Sequence, residues 1–219
     1  GIEHDEKIKL SLSNNLTEEF DYLVVSDGVF SKTKSIILAK DTSPKFFNSV
    51  ALRGTIKNID NNDISLYLGP NFHFVIYPVN QNKEFNFISI IRKKLSNNQI
   101  FNRNLFESSE FLKSLSNEIY QKTSLNLNDK LENIKSFPIY VSEKFEDFNY
   151  KNIYFIGDAL FTFPPSFAQG ASQSIEASKE AFEEINNNTH SYYKKRRLKV
   201  KEVNWRPKLN HFAFHLSNP

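Results

Sequence analysis

Ile153-Tyr-Phe-Ile-Gly-Asp-Ala-Leu-Phe-Thr-Phe-Pro-Pro-Ser-Phe-Ala-Gln-Gly-Ala-Ser-Gln-Ser-Ile-Glu176 is the stretch on which the fold turns. An apolar run, a Gly-Asp pair, a Pro-rich loop and a glycine opening a helical repeat read as strand, turn, loop and helix in succession. Each part has a physical job. Gly157 lets the backbone approach a ligand closely, and Asp158 presents two acceptor oxygens to a pair of sugar or polyol hydroxyls. The helix starting near Gly170 offers unpaired N–H groups and the positive end of its dipole. On spacing alone, a site for a polyol joined to an electron-rich ring competes evenly with an ordinary strand-loop-helix connection whose Asp is a cap.

A second short strand pattern lies at 22–25, and it too ends in a small-residue turn with an acidic group, Ser26-Asp27-Gly28. Such strand ends are where α/β sheets bind ligands. Between the two patterns the period changes to two. Residues 50–56, 64–68, 72–78 and 85–91 read as strands, with Phe72, Phe74 and Ile76 alternating against His73, Val75 and Tyr77. The polar link 79–84 makes the last two an antiparallel hairpin. Ser108 can cap a helix running to Thr123 with Phe111, Leu112, Leu115 and Ile119 on one face. Ala171, Ile175, Ser178, Phe182 and Ile185 make the apolar face of a second helix, which stops at Asn186-Asn187-Asn188 and has an acidic opposite face. A third, basic helix spans about 191–204 and ends before Pro207.

The composition sets the outer bounds. A chain of 219 residues, 39% apolar and 24% charged, has a real core and no run approaching the ~18 apolar residues of a membrane span. Cysteine is absent, which removes disulfides and thiolate chemistry and fits a reducing, cytoplasmic setting. Methionine is absent as well, so Gly1 reads as an internal position. The net charge of +3 is too small to imply nucleic acid. The run Tyr192 to Lys201, with its six cations, therefore reads as a solvated helix face. His211 and His215 are four apart but lack a third ligand, so no metal site is expected.

The stretch YFIGDALFTFPPSFAQGASQSIEAS resembles the second FAD-binding motif of the flavin-dependent aromatic hydroxylases, in the branch that includes salicylate hydroxylase. Asp21 to Lys34 is similar to the DG motif of the same family, and ALRGTI, LGPNFHFVIYPVN and FNFISII resemble its intervening strands in the right order. No GxGxxG occurs in the chain, so the resemblance covers nearly all of this sequence but lacks the family's first, pyrophosphate-binding unit. It implies an α/β fold: a partial FAD-binding Rossmann-like domain, 1–45 and 151–219, with an inserted mixed β-sheet substrate domain, 46–150. A missing or separate N-terminal FAD-binding segment is implied as a partner.

The resemblance also assigns residues. Asp27, Gly28, Lys34, Gly157, Asp158, Ala159, Pro165, Gln169, Gly170 and Ala171 fall on the cofactor-binding motifs. Lys34 stands for the usual Arg, Phe161 for a common His, and Ala177 for the Asp of a Glu-Asp pair of which Glu176 remains. Arg53, His73, Tyr77, Phe161, Phe163 and Phe167 are candidate substrate contacts, each with a plainer reading as surface, ion-paired or core residue. The implied activity is that of an oxidoreductase. NAD(P)H reduces FAD, O2 adds to the reduced ring, and a flavin hydroperoxide delivers OH to a small aromatic substrate. This needs no side-chain nucleophile, so no catalytic residue is assigned. A flavin reductase of the same fold and a non-catalytic half-domain are the rival readings. A halogenase is disfavoured because Trp205 is the lone tryptophan.

Overall fold

The computed structural model describes residues 1–4, 7–56, 63–81, 84–123 and 131–214, the side chains of residues 3, 4, 167, 207 and 211 excepted. In chain order the first elements are β1 (Ile2–His4), β2 (Ile8–Ser11), β3 (Thr17–Phe20), β4 (Leu23–Val25) and α1 (Lys32–Leu38). Next come β5 (Lys45–Ile56), β6 (Ser65–Gly69), β7 (Phe72–Val79), β8 (Glu84–Arg92), the short α2 (Asn97–Ile100) and α3 (Arg103–Glu107), α4 (Ser109–Thr123) and β9 (Leu131–Val141). The last are β10 (Ile153–Phe155), α5 (Gly157–Leu160), a 3-10 turn at Pro165–Phe167, α6 (Gly170–Asn187) and α7 (Tyr192–Phe214). They form two compact units, Gly1–Lys45 with Tyr140–Lys208 and Phe46–Ile139 with Leu209–Pro219. Among the described residues no helix is long and apolar enough to cross a membrane.

The second unit is a sheet in the order β6-β7-β8-β5-β9. Pairings β6·β7, β7·β8 and β5·β8 are antiparallel, the hairpin β7-β8 setting Val75 opposite Ile88 and Phe72 opposite Ile91. Because side chains alternate, one face collects Val50, Leu52, Phe72, Phe74, Ile76, Phe85 and Phe87, all buried, under Leu115 and Ile119 of α4 and Phe106 of α3. Ser108 caps α4 as its sequence suggests, its Oγ accepting from the Phe111 N–H at 3.3 Å.

The first unit is built on β4 and β10, paired in parallel with Val24 beside Tyr154. Leu23 N–H donates to Asn152 O and Ile156 N–H to Val25 O, so the alternate groups of β10, those of Ile153 and Phe155, point outward. Two adjacent tyrosines of α7 take them. Tyr193 Oη donates to Ile153 O at 2.6 Å and accepts from Phe155 N–H at 3.2 Å, while Tyr192 Oη donates to Phe155 O at 2.6 Å. The helix thus substitutes for a neighbouring strand. Beneath lies the core of Ile8, Val25, Ile37, Phe148, Phe155, Leu160, Phe161, Phe163 and Val200.

Four features of this unit differ from the sequence expectation. The antiparallel sheet β1-β2-β3 was not foreseen, since its strands are three or four residues long and β3 is exposed throughout. Residues 140–150, expected with the inserted domain, belong to the first unit because Phe148 packs on Phe155 at 4.8 Å and stacks on Tyr193 at 4.9 Å. Helix α7 continues past Pro207 to Phe214, because proline's fixed φ is itself helical and only one ladder bond is forgone. Helix α6 is turned: it buries Gln173, Ala177, Ala181 and Glu184, and leaves Ile175 and Phe182 exposed.

The reason for that turn lies on α7. Tyr192, Arg196, Val200 and Val203 are buried at spacings of four, four and three, so the basic run is not simply a solvated face. Arg196 is 1% exposed, and its guanidinium needs acceptors. Gln173 Oε1 supplies one at 2.8 Å, Glu180 stands at 3.3 Å and Glu176 at 3.5 Å. The polar side of α6 is therefore the side that must face inward, while Ala181 lets the helix sit close over Tyr154.

Candidate functional site

Parallel pairing of β4 and β10 brings the carboxyl ends of both strands together, and with them the two turns singled out in the sequence. After β4, Gly28 adopts φ +85°, a conformation costly for any side chain. After β10, Gly157 adopts φ +58° and opens the single turn α5, where a Cβ would lie 3.1 Å from Ser174 Oγ. Glycine there permits both the backbone angle and the approach of α6. The 3-10 turn, closed by Ala168 in the left-handed region, then delivers the chain to Gly170.

Ser26, Gly28, Ile156, Gly157, Asp158, Gly170, Ala171 and Ser174 line one open cleft of about 410 Å³. Within it α6 begins without a side-chain cap, and its first internal bond runs from Gln173 N–H to Gln169 O. The amides of the first turn are therefore available to a ligand. A Cβ built on Gly170 meets nothing within 4 Å. Asp158 forms no side-chain hydrogen bond within the described residues; burial raises its carboxyl above the usual range, partly offset by the Lys34 ammonium. Lys34, 4% exposed, is itself lowered by burial against the opposing fields of Glu146, Asp27 and Asp158. The result is a half-buried acceptor backed by a buried cation and flanked by free N–H donors.

Of the cofactor candidates, Gly28, Gly157, Asp158, Gly170 and Ala171 meet in this cleft. Asp27 is turned away from it, its carboxylate accepting from Thr33 N–H at 3.2 Å at the start of α1. Burial pushes that carboxyl up, but hydrogen bonds from Ser31 and Thr33 outweigh burial and hold it below the usual range. Ala159 is wholly buried in the core, Pro165 opens the 3-10 turn, and Gln169 precedes α6. Sequence reasoning missed Ser174, although its place four residues after Gly170 puts it on the same helix face. Ser26 and Ile156 were adjacent to the motifs but carried no chemical signal.

The aromatic candidates divide. Phe161 and Phe163 are 3% and 8% exposed, pack on each other at 4.9 Å, and belong to the core rather than to the open cleft. With Gly157, Gln173, Ser174 and Arg196 they line only a void of about 10 Å³. The Phe167 side chain, that of His211, and His215 lie outside the described residues. In the second unit, Arg53, His73 and Tyr77 all project from one face of the sheet, opposite the face covered by α4. Arg53 is exposed with its guanidinium 4.9 Å from the Phe137 ring centre, and His73 is buried edge-on to Phe214 at 5.5 Å.

Solved structures share this fold. An HpxO variant from Klebsiella pneumoniae complexed with FAD superimposes with a TM-score of 0.80 at 15% identity, over 98% of this chain and 58% of that one. A salicylate hydroxylase substrate complex gives 0.76 at 17% identity, over 100% and 61%. The 2,6-dihydroxypyridine-3-hydroxylase of Arthrobacter nicotinovorans gives 0.77 at 14%, over 98% and 63%. The fold is that of the FAD-dependent aromatic hydroxylases. By sequence, no family model and no curated protein matches the chain. The chain spans about three fifths of the length of these hydroxylases.

Proposed function

We propose that this chain carries the flavin-ring and ribityl side of a FAD-dependent, NAD(P)H-using monooxygenase that hydroxylates a small aromatic substrate in the cytoplasm. The observation that carries the reading is the cleft itself, where the Gly28 turn, the Gly157-Asp158 turn and the uncapped start of α6 converge. Its donor set fits the group. Asp158 accepts from neighbouring ribityl hydroxyls, and the Lys34 ammonium behind it favours the ionised form that can do so. The amides of Gly170 and Ala171 and the α6 dipole favour negative charge at the ring. Bound FAD would supply the redox chemistry, taking a hydride from NAD(P)H and activating O2 so that one oxygen enters the substrate ring and the other leaves as water.

The sheet face bearing Arg53, His73 and Tyr77 is the proposed substrate surface. Arg53 over Phe137 offers a cation beside an aromatic plane, which suits a planar ring with an anionic substituent. Support comes from the kinds of ligand named for the neighbours, uric acid with HpxO and a substrate complex of salicylate hydroxylase.

Flavin fluorescence titration tests the reading. The 219-residue chain binds FAD weakly, because only one side of the cofactor is held. Asp158→Ala lowers that affinity by about 1.5–3 kcal/mol, the worth of a hydrogen bond to a charged group. Equal affinity in a folded Asp158→Ala protein would remove Asp158 from the cofactor, and sub-micromolar binding by the chain would place the main anchor elsewhere.

A further inference from the structure

Helix α7 carries two apolar stripes on opposite sides. Tyr192, Val200 and Val203 lie inward with Arg196, whereas Leu198, Trp205, Leu209 and Phe212 are 63%, 55%, 51% and 63% exposed. Their spacings of seven, four and three keep the outward four within an arc of about 60°, along about 21 Å of the helix axis. Cations border this arc on both sides. Lys201 and Lys208 follow one flank, Lys195 and Arg206 the other, and Lys194 stands at the N-terminal end of the stripe. Glu202 is the helix's one acid, and it pairs with Arg206 at 3.7 Å. Arg197 and Lys199 are likewise taken, by Asp147 and Glu176. Lys194, Lys195, Lys201 and Lys208 are exposed and have no ion-pair partner among the described residues.

We propose that the outward face of α7 binds the surface of an anionic lipid bilayer, the stripe entering the boundary between headgroups and acyl chains and the lysines meeting lipid phosphates and carboxylates. Charge selects this occupant. An apolar stripe alone suits any apolar partner, but unpaired cations along both of its flanks call for negative charge on both sides of the inserted residues, which a sheet of anionic headgroups supplies. Lysine's apolar stem lets each ammonium stay at headgroup level while Leu198 and Leu209 go deeper. Trp205, midway along the stripe, has the apolar ring and polar N–H that suit the boundary itself. A second copy of the chain fits poorly, because a two-fold axis on this face would set cationic flank against cationic flank. A single-stranded nucleic acid fits poorly as well, since Leu198 and Leu209 offer its bases no ring to stack on. The attachment lies on the membrane and does not cross it, because no described helix is long and apolar enough to span.

Trp205 is the lone tryptophan of the chain, so its emission reports on this face, and the test needs no flavin. The purified 219-residue chain is mixed with vesicles of phosphatidylcholine, or of phosphatidylcholine with phosphatidylserine, and followed by co-sedimentation and tryptophan emission. With phosphatidylserine present the protein should sediment with the vesicles, its emission should shift to the blue, and lipid brominated on the acyl chain should quench it. Phosphatidylcholine alone should bind about a hundredfold more weakly, since each lysine near an anionic surface contributes roughly fivefold. Lys201→Gln with Lys208→Gln should weaken binding by about tenfold or more. Leu198→Glu with Leu209→Glu should abolish the blue shift and leave the melting temperature unchanged, because both side chains are exposed. Equal binding to the two kinds of vesicle, no co-sedimentation, or co-sedimentation without quenching by brominated lipid would each overturn the proposal. So would undiminished binding in the leucine pair, self-association that this pair abolishes, or a preference for a single-stranded oligonucleotide over the vesicles.

Discussion

Tyr193→Phe removes one oxygen that serves two backbone groups of β10, the strand that carries the Gly157-Asp158 turn. Its hydroxyl donates to Ile153 O and accepts from Phe155 N–H, and both residues are wholly buried. Water cannot replace the lost partner at either group. With about 1–3 kcal/mol for each buried group left unsatisfied, and the lower part of the range because Tyr193 is itself only part-buried, the loss is about 2–4 kcal/mol. Tyr192→Phe strands only Phe155 O and should cost about 1–2 kcal/mol. Burial holds both phenols above their ordinary titration range, so the donors persist across any pH at which the protein is stable. Urea denaturation gives the stability difference, with a shifted midpoint and unchanged slope. Amide exchange at Phe155 should speed up in Tyr193→Phe and less so in Tyr192→Phe. If Tyr192→Phe proves the more damaging, or Phe155 exchange is unaltered in Tyr193→Phe, the two hydroxyls do not act as a surrogate strand.

Gly157→Ala should destabilise by about 1–2 kcal/mol for the left-handed backbone alone, with a further contribution from the 3.1 Å contact to Ser174 Oγ that a second change, Ser174→Gly, relieves; calorimetric melting of the single and double variants separates the two parts. Phe163→Ala should cost about 3–5 kcal/mol as a core truncation, readable as a urea midpoint shift, whereas near-neutral stability would return Phe163 to an open cavity. Glu184, which accepts from Ser191 N–H and from the Thr189 hydroxyl, is held below the ordinary carboxylate range because these bonds outweigh its burial. Its contribution is therefore present above the unfolded-state pKa and is lost as pH falls through the lower folded-state value. In acid titrations of stability, wild type should lose more than Glu184→Gln over that interval, and parallel curves would show that the carboxylate is not the clamp between α6 and α7.

Much of this was legible in the sequence because periodicity and turn chemistry are local. The strands β5 to β8 and the cap at Ser108 follow from alternation and a serine in place, and Gly157-Asp158 and Gly170 carry their chemistry in residue type. What escaped depends on partners distant in sequence. Nothing within 171–185 says that Ile175 and Phe182 face out; the decision belongs to Arg196 and Tyr154, which require polar and small residues against them. Asp27 reads as a ligand contact or as part of a turn after a strand, and neither reading contains the bond it accepts from Thr33 N–H at the start of α1. Phe161 and Phe163 were ambiguous for a compositional reason, since with 21 phenylalanines an aromatic near a motif carries little information.

Arg196 has a consequence for how this chain can change over generations. A guanidinium enclosed by Gln173, Glu176 and Glu180 cannot be exchanged for an apolar residue alone, because Glu180 would lose this counter-charge and Glu176 would keep only that of Lys199, nor can the acids be lost while it stays. These four positions are one heritable unit spread over two helices. Among divergent relatives they should be found altered together, with an apolar side chain at 196 accompanied by an uncharged one at 180, while the exposed Lys194 and Lys195 drift independently.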